Sequence, residues 1–455
     1  MIRNMLILLI SFGFLISCQK PIERPNIILI YVDDMGMGDA SFTRGEVRPT
    51  PNIDKMASEG KVFTQYYTNA PVCSPSRVAV TTGNYPQRWN INTFLSSKEH
   101  NKKCDQLDYL KAEAPSLART LKTAGYTTAH FGKWHMGGGR DVTEAPVISK
   151  YGFDEFVSTW ESPNPDSLLT SSNWIWAPTD SIKRWDRTAY FVEKTLDFLK
   201  KNEDKPCYIN LWPDDVHSPW VASEQYQDGQ SNPNYYSLEY LKPVIDVFDR
   251  DMGHLMDGLK ELGLDENTLI VFTSDNGPAP TFEYSRTNGL RGLKNSLYEG
   301  GINMPFFVRW PEKIKAGQTD SESVIAAIDL FPTLCKIGGA ELPQSYCSDG
   351  VDVSKAFVSE KETIQKRKIF WEYGRRNTKI SLPKAAYDKS PALAVRYGDW
   401  KCFTSFDGEK LELYNLKNDP NERTNIAAQS EELANQLKAE MLDWFEKTDK
   451  SEVRN

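Results

Sequence analysis

Several features that would reveal a protein's class are missing from this sequence. Its 455 residues contain no low-complexity run and no internal repeat, which excludes fibrous and solenoid architectures. Lys and Arg total 54 against 62 Asp and Glu, for a formal net charge of -8. Nucleic-acid binding usually requires a basic surface that displaces counterions. We therefore expect no nucleic-acid partner, and any anion site must be local.

Cysteine and histidine are also scarce, with seven and five residues respectively. There is no C-x-x-C pair, and the cysteine spacings form no dense disulfide framework, so neither a zinc ribbon nor a small disulfide scaffold is expected. Sequence alone leaves any disulfide pairing open. The hydrophobic fraction of 40% is typical of a globular protein, and the length favours one large unit with a smaller second one.

The N-terminus carries an apolar run, Met5 to Ile16, which is too short to span a bilayer. A basic residue precedes it and Ser17 follows, which is typical of a secretory signal over residues 1–17. The stretch "LISC" resembles a bacterial lipobox and implies a lipid on Cys18, the only membrane anchor expected. The alternative is a soluble secreted protein in which Cys18 is incidental.

Continuous apolar runs, such as Ile27 to Val32, indicate parallel strands buried on both faces. Amphipathic segments alternate with them: Ser116 is a plausible helix N-cap, and apolar residues recur at helical spacing from Ile245 to Leu259. This order predicts a large, mostly parallel α/β sheet flanked by helices on both faces, in a catalytic domain over 24–348. The other expected strands are Tyr126–His135, Cys207–His217, Thr268–Gly277 and Met304–Trp310.

Beyond Asp349 the pattern changes to short strand-like pieces, followed by a helix with Leu433, Leu437, Met441 and Trp444. It predicts a smaller C-terminal subdomain over 349–455, made of an antiparallel sheet and a packed helix.

Polar residues follow four of the predicted strands directly. Chemistry collects at the carboxyl ends of strands in such sheets, so we expect these residues to converge. Asp33, Asp34, Asp275 and Asn276 supply only oxygen ligands, which suits Ca²⁺ or Mg²⁺ better than Zn²⁺. Taken singly, each of these segments is more simply a solvated turn.

Basic groups accompany the acidic ones. Lys133 and His135 stand two residues apart at a strand end, so their side chains are expected to point the same way and could hold an anion and move a proton. His217 and Lys294 could likewise move a proton or hold an anion, or they could be an ordinary buried histidine and surface lysine.

Cys73 has no partner cysteine nearby. Pro75 favours the first turn of a helix, which would place the thiol at a positive helix terminus with Arg77 one turn along. From the residues alone this indicates an activated thiolate nucleophile, or a plain buried cysteine.

The segment "CSPSRVAVTTG" resembles the signature of the type I sulfatases, members of the alkaline phosphatase superfamily, in which the cysteine is oxidised to Cα-formylglycine by a maturase. The resemblance extends, in order, from about Pro25 to the C-terminal helix. Further segments that carry it are "PNIILIYVDDMGMGD", "TPNIDKMASEG", "FGKWHMGG", "FTSDNGP", "GLKNSLYEGGINMPFFVRWP", "AVRYGDWK" and "ELYNLKNDPNERTNIA".

The resemblance implies that Asp33, Asp34, Asp275 and Asn276 hold one Ca²⁺ together with formylglycine at position 73. A hydrated aldehyde offers one hydroxyl to attack sulfur and a second whose deprotonation expels sulfate.

It further implies catalytic roles for five other residues. Arg77 would steady the aldehyde hydrate, and Lys133 and Lys294 would grip sulfate oxygens. His135 would act as the base, and His217 would protonate the leaving oxygen.

A residue that protonates the leaving oxygen, such as His217, matters more for a sugar alkoxide than for the less basic phenolate. We therefore expect a sulfated saccharide substrate, of the galactose or N-acetylgalactosamine type. The alternatives are an arylsulfatase, a phosphomonoester or phosphonate hydrolase of the same superfamily, and an inactive glycan-binding lipoprotein. Tryptophans between Gly139 and Asp186 suit stacking on sugar rings, or merely pack a long insertion. The candidate substrate contacts are Trp176, Arg184, Asp215 and Arg375.

A lipoprotein sulfatase resembles the glycan-degrading enzymes of Bacteroidota. No acidic pair follows Cys18, and such pairs can mark surface export in that group. We therefore expect a periplasmic lipoprotein, with surface exposure as the alternative.

Overall fold

The computed structural model describes residues 24–172, 174–223, 234–364, 366–374 and 379–449. The predicted signal segment, Cys18 and Arg375 lie outside these ranges. In the described part of the chain no helix is both long and apolar enough to cross a membrane. The six cysteines that the structure describes are all free.

The larger unit is built on an eight-stranded sheet in the order β5-β4-β6-β1-β7-β8-β2-β9. The first five strands in this order, from β5 through β7, run parallel to one another. Strand β8 is antiparallel to its two neighbours, β7 and β2. The short strands β3 and β10 pair with each other. The strands are β1 Asn26–Val32, β2 Lys61–Phe63, β3 Tyr66–Tyr67, β4 Thr127–Gly132, β5 Glu155–Ser158, β6 Cys207–Trp212, β7 Thr268–Ser274, β8 Phe307–Arg309, β9 Gln318–Asp320 and β10 Ile325–Ala326.

The helices connect these strands and the following ones along the chain. Ser116 caps α4, as expected, by accepting a hydrogen bond from the backbone N–H of Arg119. The helices are α1 Pro51–Ser58, α2 Cys73–Thr82, α3 Lys98–Lys103, α4 Leu117–Thr123, α5 Arg187–Lys201, α6 Leu238–Glu261, α7 Glu299–Ile302, α8 Leu330–Gly338, α9 Ser354–Val358 and α10 Glu431–Asp449.

Strand β1 is buried on both faces because helices cover both sides of the sheet. Leu29 joins the core that contains α4 and α8, whereas Ile30 joins the core that contains α5 and α6. The continuous apolar run of β1 follows from this double burial. The predicted fold, a mostly parallel sheet with helices on both faces, is confirmed.

The smaller unit is a four-stranded antiparallel sheet in chain order, also as predicted. Helix α10 packs on one face through Leu437 and Met441, and the other face contacts the large unit through Trp371. Helix α9 lies beyond the expected boundary at Asp349, yet Phe357 packs in the core of the large sheet. The strands are β11 Lys368–Glu372, β12 Leu393–Tyr397, β13 Trp400–Thr404 and β14 Leu411–Asn415.

Candidate active site

The polar residues that follow the parallel strands do meet at one edge of the sheet. Asp34 follows β1, and its backbone N–H donates to Asp275 Oδ1, which follows β7, at 3.1 Å. Asn276 donates from Nδ2 to Asp34 Oδ1 at 2.7 Å. Asp33, Asp34, Asp275 and Asn276 are all buried. The structure thus brings together the four predicted oxygen ligands.

Three cationic side chains surround this acidic cluster. Lys133 Nζ lies 2.8 Å from Asp33 Oδ2, and Lys294 Nζ lies 2.7 Å from Asp34 Oδ1. Arg77, in the second turn of α2, contacts Asp275 Oδ2 at 2.7 Å. Each carboxylate is therefore paired with a different basic residue.

The carboxylates nevertheless differ in their electrostatic environment. Burial raises the pKa of Asp275, and the charge of Asp33 raises it further, so that the pKa lies well above its ordinary value despite Arg77. Burial also acts to raise the pKa of Asp33, but Lys133 and His217 outweigh it and hold that pKa well below its usual range. Three carboxylates so close together favour additional positive charge.

Two oxygens in this cluster are suited to bind a cation. Asp33 Oδ1 and Asn276 Oδ1 are buried and make no hydrogen bond. Buried polar atoms without a hydrogen bond are rare in folded proteins, and binding of an ion explains some of them. Carboxylate and amide oxygens are the ligands of hard cations, so the residues fit Ca²⁺. Ligand atoms of Asp33, Asp34 and His217 lie within 4.8 Å of one another, so such an ion would lie near this imidazole.

Cys73 is the first residue of α2, and only 2% of it is exposed. Burial raises the pKa of its thiol, and the nearby charges of Lys133 and Lys294 do not reverse that effect. The thiol is therefore protonated at neutral pH. Of the two alternatives predicted for this residue, the structure favours the buried cysteine over the activated thiolate, because burial outweighs the charges of Lys133 and Lys294.

The two histidines at this edge are both neutral at neutral pH. For His135, burial lowers the pKa to about 4 although Glu161 opposes the shift. For His217, burial and then Lys294 lower the pKa to about 4. A carbonyl can only accept a hydrogen bond, so His135 donates from Nε2 to Leu95 O at 3.0 Å. By the same argument His217 donates from Nδ1 to Ser218 O at 2.5 Å.

Each ring consequently presents its other nitrogen as a lone pair to the site. His135 Nδ1 is buried without a hydrogen-bond partner, and His217 Nε2 lies 3.6 Å from Asp34 Oδ2. His135 and Asp34 both adopt positive backbone φ angles, 49° and 58°, which is uncommon outside glycine. Such strained conformations cluster at functional sites.

The sequence did not reveal Glu161, which lies beside Lys133 and His135, the two predicted catalytic residues that follow β4. Its Oε2 is 3.4 Å from His135 Nδ1 and 3.6 Å from Lys133 Nζ. Glu161 follows β5, as the other site residues follow their strands. Three of the four residues of β5 are only partly buried, and its sequence lacks the apolar run that marked the other strands.

Two predicted substrate contacts take a different position. Arg184 is 2% exposed and donates to the backbone oxygens of Asp214, at 2.6 Å, and His217, at 3.0 Å. Asp215 is 6% exposed and accepts a hydrogen bond from the Thr188 hydroxyl. Both side chains lie behind the turn that follows β6 and carries His217. Arg184, just before α5, and Thr188, in its first turn, form hydrogen bonds to this turn. Their hydrogen bonds hold this turn in place.

The third predicted contact, Trp176, is partly buried and packs edge-on against Tyr235 with ring centroids 5.8 Å apart. The fourth, Arg375, lies outside the described residues.

Comparisons with known proteins agree with this geometry. The sulfatase family model matches residues 25–340, and a model described as the C-terminal region of N-sulphoglucosamine sulphohydrolase matches residues 293–447. The chain is 30% identical over 415 residues to a Mus musculus N-acetylgalactosamine-6-sulfatase, covering 85% of this chain and 75% of the relative. It is 28% identical over 524 residues to an N-acetylgalactosamine-6-O-sulfatase of Bacteroides thetaiotaomicron, covering 97% and 98%.

Solved structures show the same fold. One, of a protein in complex with k-i-k-neocarrahexaose, has a TM-score of 0.74 and 24% identity and covers 94% of this chain and 93% of its own. Another, from work on the metabolism of multiple glycosaminoglycans by Bacteroides thetaiotaomicron, has a TM-score of 0.73 and 24% identity and covers 94% and 99%. With the family model spanning most of the chain and the expected residues gathered at one sheet edge, the protein belongs to the type I sulfatases, enzymes that hydrolyse sulfuric esters.

Proposed function

We propose that the protein is a carbohydrate sulfatase that removes sulfate from galactose or N-acetylgalactosamine units of a sulfated glycan. The observation that carries this proposal is the convergence of Lys133, Lys294 and two neutral histidines around Cys73. Two lysines suit an anionic group, and the histidines suit proton transfer on either side of it. The sugar is proposed from the relatives of mouse and Bacteroides thetaiotaomicron, both N-acetylgalactosamine-6-sulfatases.

We further propose that Cys73 is converted to Cα-formylglycine and that Asp33, Asp34, Asp275 and Asn276 hold one Ca²⁺ beside it. The hydrated aldehyde would supply the oxygen nucleophile, and the ion would supply positive charge against the sulfate oxygens. The protonated, buried thiol of Cys73 supports this proposal, since it is poorly suited to nucleophilic attack itself.

The chain's own residues divide the remaining work. Lys133 and Lys294 bind sulfate oxygens, and Arg77 orients the residue at position 73. His135 accepts a proton at Nδ1, the nitrogen left free by its bond to Leu95. His217 delivers a proton at Nε2 to the leaving oxygen. The bound sulfate ester offsets the charge of Lys294, one of the two main causes that lower the pKa of His217, and so favours the protonated acid.

The test combines mass spectrometry with a substrate panel. The protein is produced with a formylglycine-generating maturase, and the peptide that contains residue 73 is weighed. We expect the aldehyde form, and sulfate release from N-acetylgalactosamine 6-sulfate or galactose 6-sulfate in preference to aryl sulfates and phosphate monoesters. Cys73→Ala is the inactive control, and Cys347→Ala, at an exposed free cysteine, is the matched active one. Full activity in protein that carries only the thiol would refute the modification.

We also propose that the chain is a periplasmic lipoprotein anchored through Cys18, from the sequence of its first 18 residues. In a bacterial host, wild-type protein should appear in the membrane fraction, and Cys18→Ala should move it to the soluble periplasmic fraction. Equal partition of the two proteins would contradict a lipid on Cys18.

A further inference from the structure

A wall of contacting side chains leads away from His135. It consists of Arg140, which precedes β5, and of Glu161, Trp160 and Trp174, which lie in the insertion between β5 and α5. Glu161 Oε2 lies 3.4 Å from His135 Nδ1, and Glu161 Oε1 lies 3.5 Å from an Arg140 nitrogen. The Arg140 guanidinium lies over the ring of Trp160 at 4.6 Å from its centroid. Trp160 in turn contacts Trp174, with centroids 5.7 Å apart. The wall therefore joins the reacting centre to an aromatic surface through direct contacts.

The outer end of this wall exposes an indole ring. Trp174 is 52% exposed, although tryptophans are usually well buried. Trp160 beneath it is only 5% exposed, and its ring is fixed between Arg140 and Trp174. An exposed aromatic ring near polar side chains is a common arrangement for binding a ligand that has both apolar and polar faces.

Glu161 restricts what that ligand can be. A carboxylate repels a sulfate group, so its partner must be something other than the sulfate itself. Lys133 Nζ and His135 Nδ1 lie 3.6 and 3.4 Å from Glu161 Oε2 and Arg140 donates a long hydrogen bond of 3.5 Å to Oε1, whereas a charge-assisted hydrogen bond is about 2.8 Å long. The carboxylate oxygens therefore retain capacity to accept hydrogen bonds from a neutral donor such as a hydroxyl.

We propose that Glu161 and Trp174 bind the sugar ring that carries the scissile sulfate. Trp174 stacks on the C–H face of the ring, and Glu161 accepts a hydrogen bond from a ring hydroxyl next to the sulfate ester. Arg140 and Trp160 are positioning residues, since they hold the carboxylate and the indole in place. This inference rests on the proposed carbohydrate sulfatase function and assigns its specificity to this chain's own insertion.

The test measures binding without turnover. Protein made without a maturase keeps the Cys73 thiol, and calorimetry with CaCl₂ present compares N-acetylgalactosamine 6-sulfate with inorganic sulfate. Trp174→Ala should weaken saccharide binding about tenfold, the effect typical of truncating an anchoring tryptophan, and leave inorganic sulfate binding unchanged. Trp174→Phe, which keeps an aromatic face, should weaken saccharide binding less than Trp174→Ala does.

Glu161→Gln separates the two contacts. It should weaken saccharide binding while inorganic sulfate binds as well as before or better, because a negative charge has been removed. The matched control is Leu168→Ala, which truncates an apolar side chain of the same insertion that is 42% exposed. It should change neither affinity, and circular dichroism melting curves should show that all variants are folded.

The outcomes distinguish this inference from the function on which it rests. If the wild-type protein binds the saccharide more tightly than inorganic sulfate and folded Trp174→Ala binds the saccharide with wild-type affinity, the subsite is overturned while the function stands. If the formylglycine-bearing wild-type enzyme releases no sulfate from any saccharide, the proposed function itself fails. If Leu168→Ala weakens binding as much as Trp174→Ala, the effect belongs to the insertion as a whole and the assignment to Trp174 is overturned.

Discussion

Two of the buried clusters of opposite charges among the described residues differ in how many of their polar atoms lack a hydrogen bond. The first is the catalytic edge, where three carboxylates meet Arg77, Lys133 and Lys294. The second lies between the two units, where Lys401 of β13 contacts Glu299 at 2.7 Å and Glu422 at 3.0 Å. Burial of charge without such pairing is strongly unfavourable, so both clusters depend on their partners.

The inter-unit cluster is nearly satisfied by the protein itself. Glu299 Oε2 accepts from the Tyr67 hydroxyl at 2.7 Å and from Asn303 at 3.0 Å. Glu422 Oε2 accepts from the backbone N–H of Glu299 at 2.7 Å. Lys401 Nζ donates to Glu299 Oε1 at 2.7 Å and forms an ion pair with Glu422 Oε1 at 3.0 Å, so Glu422 Oε1 is the one carboxylate oxygen of this cluster without a hydrogen bond.

The catalytic edge, in contrast, leaves three buried atoms without a hydrogen bond, Asp33 Oδ1, Asn276 Oδ1 and His135 Nδ1. Atoms left unsatisfied in a buried site cost stability unless a ligand completes them. Buried charge thus serves adhesion between the units in the inter-unit cluster and ligand binding at the catalytic edge. Substitutions should therefore affect mainly stability at the inter-unit cluster and mainly activity at the catalytic edge.

The largest effect on stability is expected for Lys401→Met. It leaves two buried carboxylates without their shared cation, which should lower the free energy of unfolding by about 3–5 kcal/mol. Chemical denaturation measures the loss, and the fraction that remains folded should keep its kcat. Adding Glu422→Gln to this variant should restore part of the stability. A normal denaturation midpoint for Lys401→Met would show that the cluster is not needed for adhesion.

At the catalytic edge, Lys133→Met should instead act on the rate. Loss of one group that stabilises charge in the transition state lowers kcat by about 10²–10³-fold. Lys313→Met, at a side chain that is 50% exposed, is the control and should be fully active. If Lys133→Met reduced the free energy of unfolding as much as Lys401→Met while retaining activity, the proposed division between the clusters would be wrong.

Calcium should stabilise the protein through the first cluster alone. A ligand present at 100 times its Kd stabilises the folded state by about 2.7 kcal/mol. Thermal melting with EGTA and then with CaCl₂ should show a higher Tm with the ion. Asp33→Asn should lose this response, whereas Glu299→Gln, in the second cluster, should keep it. Equal responses of the two variants would place the ion elsewhere.

A smaller effect is expected from pH at the second cluster. Burial, and then the charge of Glu299, raise the pKa of Glu422 from 4.5 to about 7 against the pull of Lys401. The Glu422 carboxyl therefore binds a proton more tightly in the folded state than in the unfolded chain. The stability gained from this protonation is complete below about pH 4.5 and is lost as pH rises through 7.

Denaturation at pH 5 and pH 8 measures this dependence. Between these values wild-type protein should lose about 2 kcal/mol more stability than Glu422→Gln, which has no proton to release. An identical pH dependence in the two proteins would mean that Glu422 is charged throughout the range.

Much of the fold follows from local patterns. The run from Ile27 to Val32, the cap at Ser116 and the helical spacing from Ile245 to Leu259 each predict the element that forms, because burial on a sheet or helix face requires those periods. The convergence of Asp33 and Asp34, Lys133 and His135, and Asp275 and Asn276 was also predictable, since these pairs closely follow the parallel strands β1, β4 and β7.

What the sequence determined by itself is therefore the α/β fold, the sulfatase resemblance and the residues gathered around Cys73. Only the tertiary structure decided that Arg184 and Asp215 lie behind the turn of His217, that burial keeps the Cys73 thiol protonated, and that Glu161 lies beside His135. These are contacts between segments distant along the chain or consequences of burial. Neither periodicity nor spacing records them, because both describe only how a segment repeats along its own length.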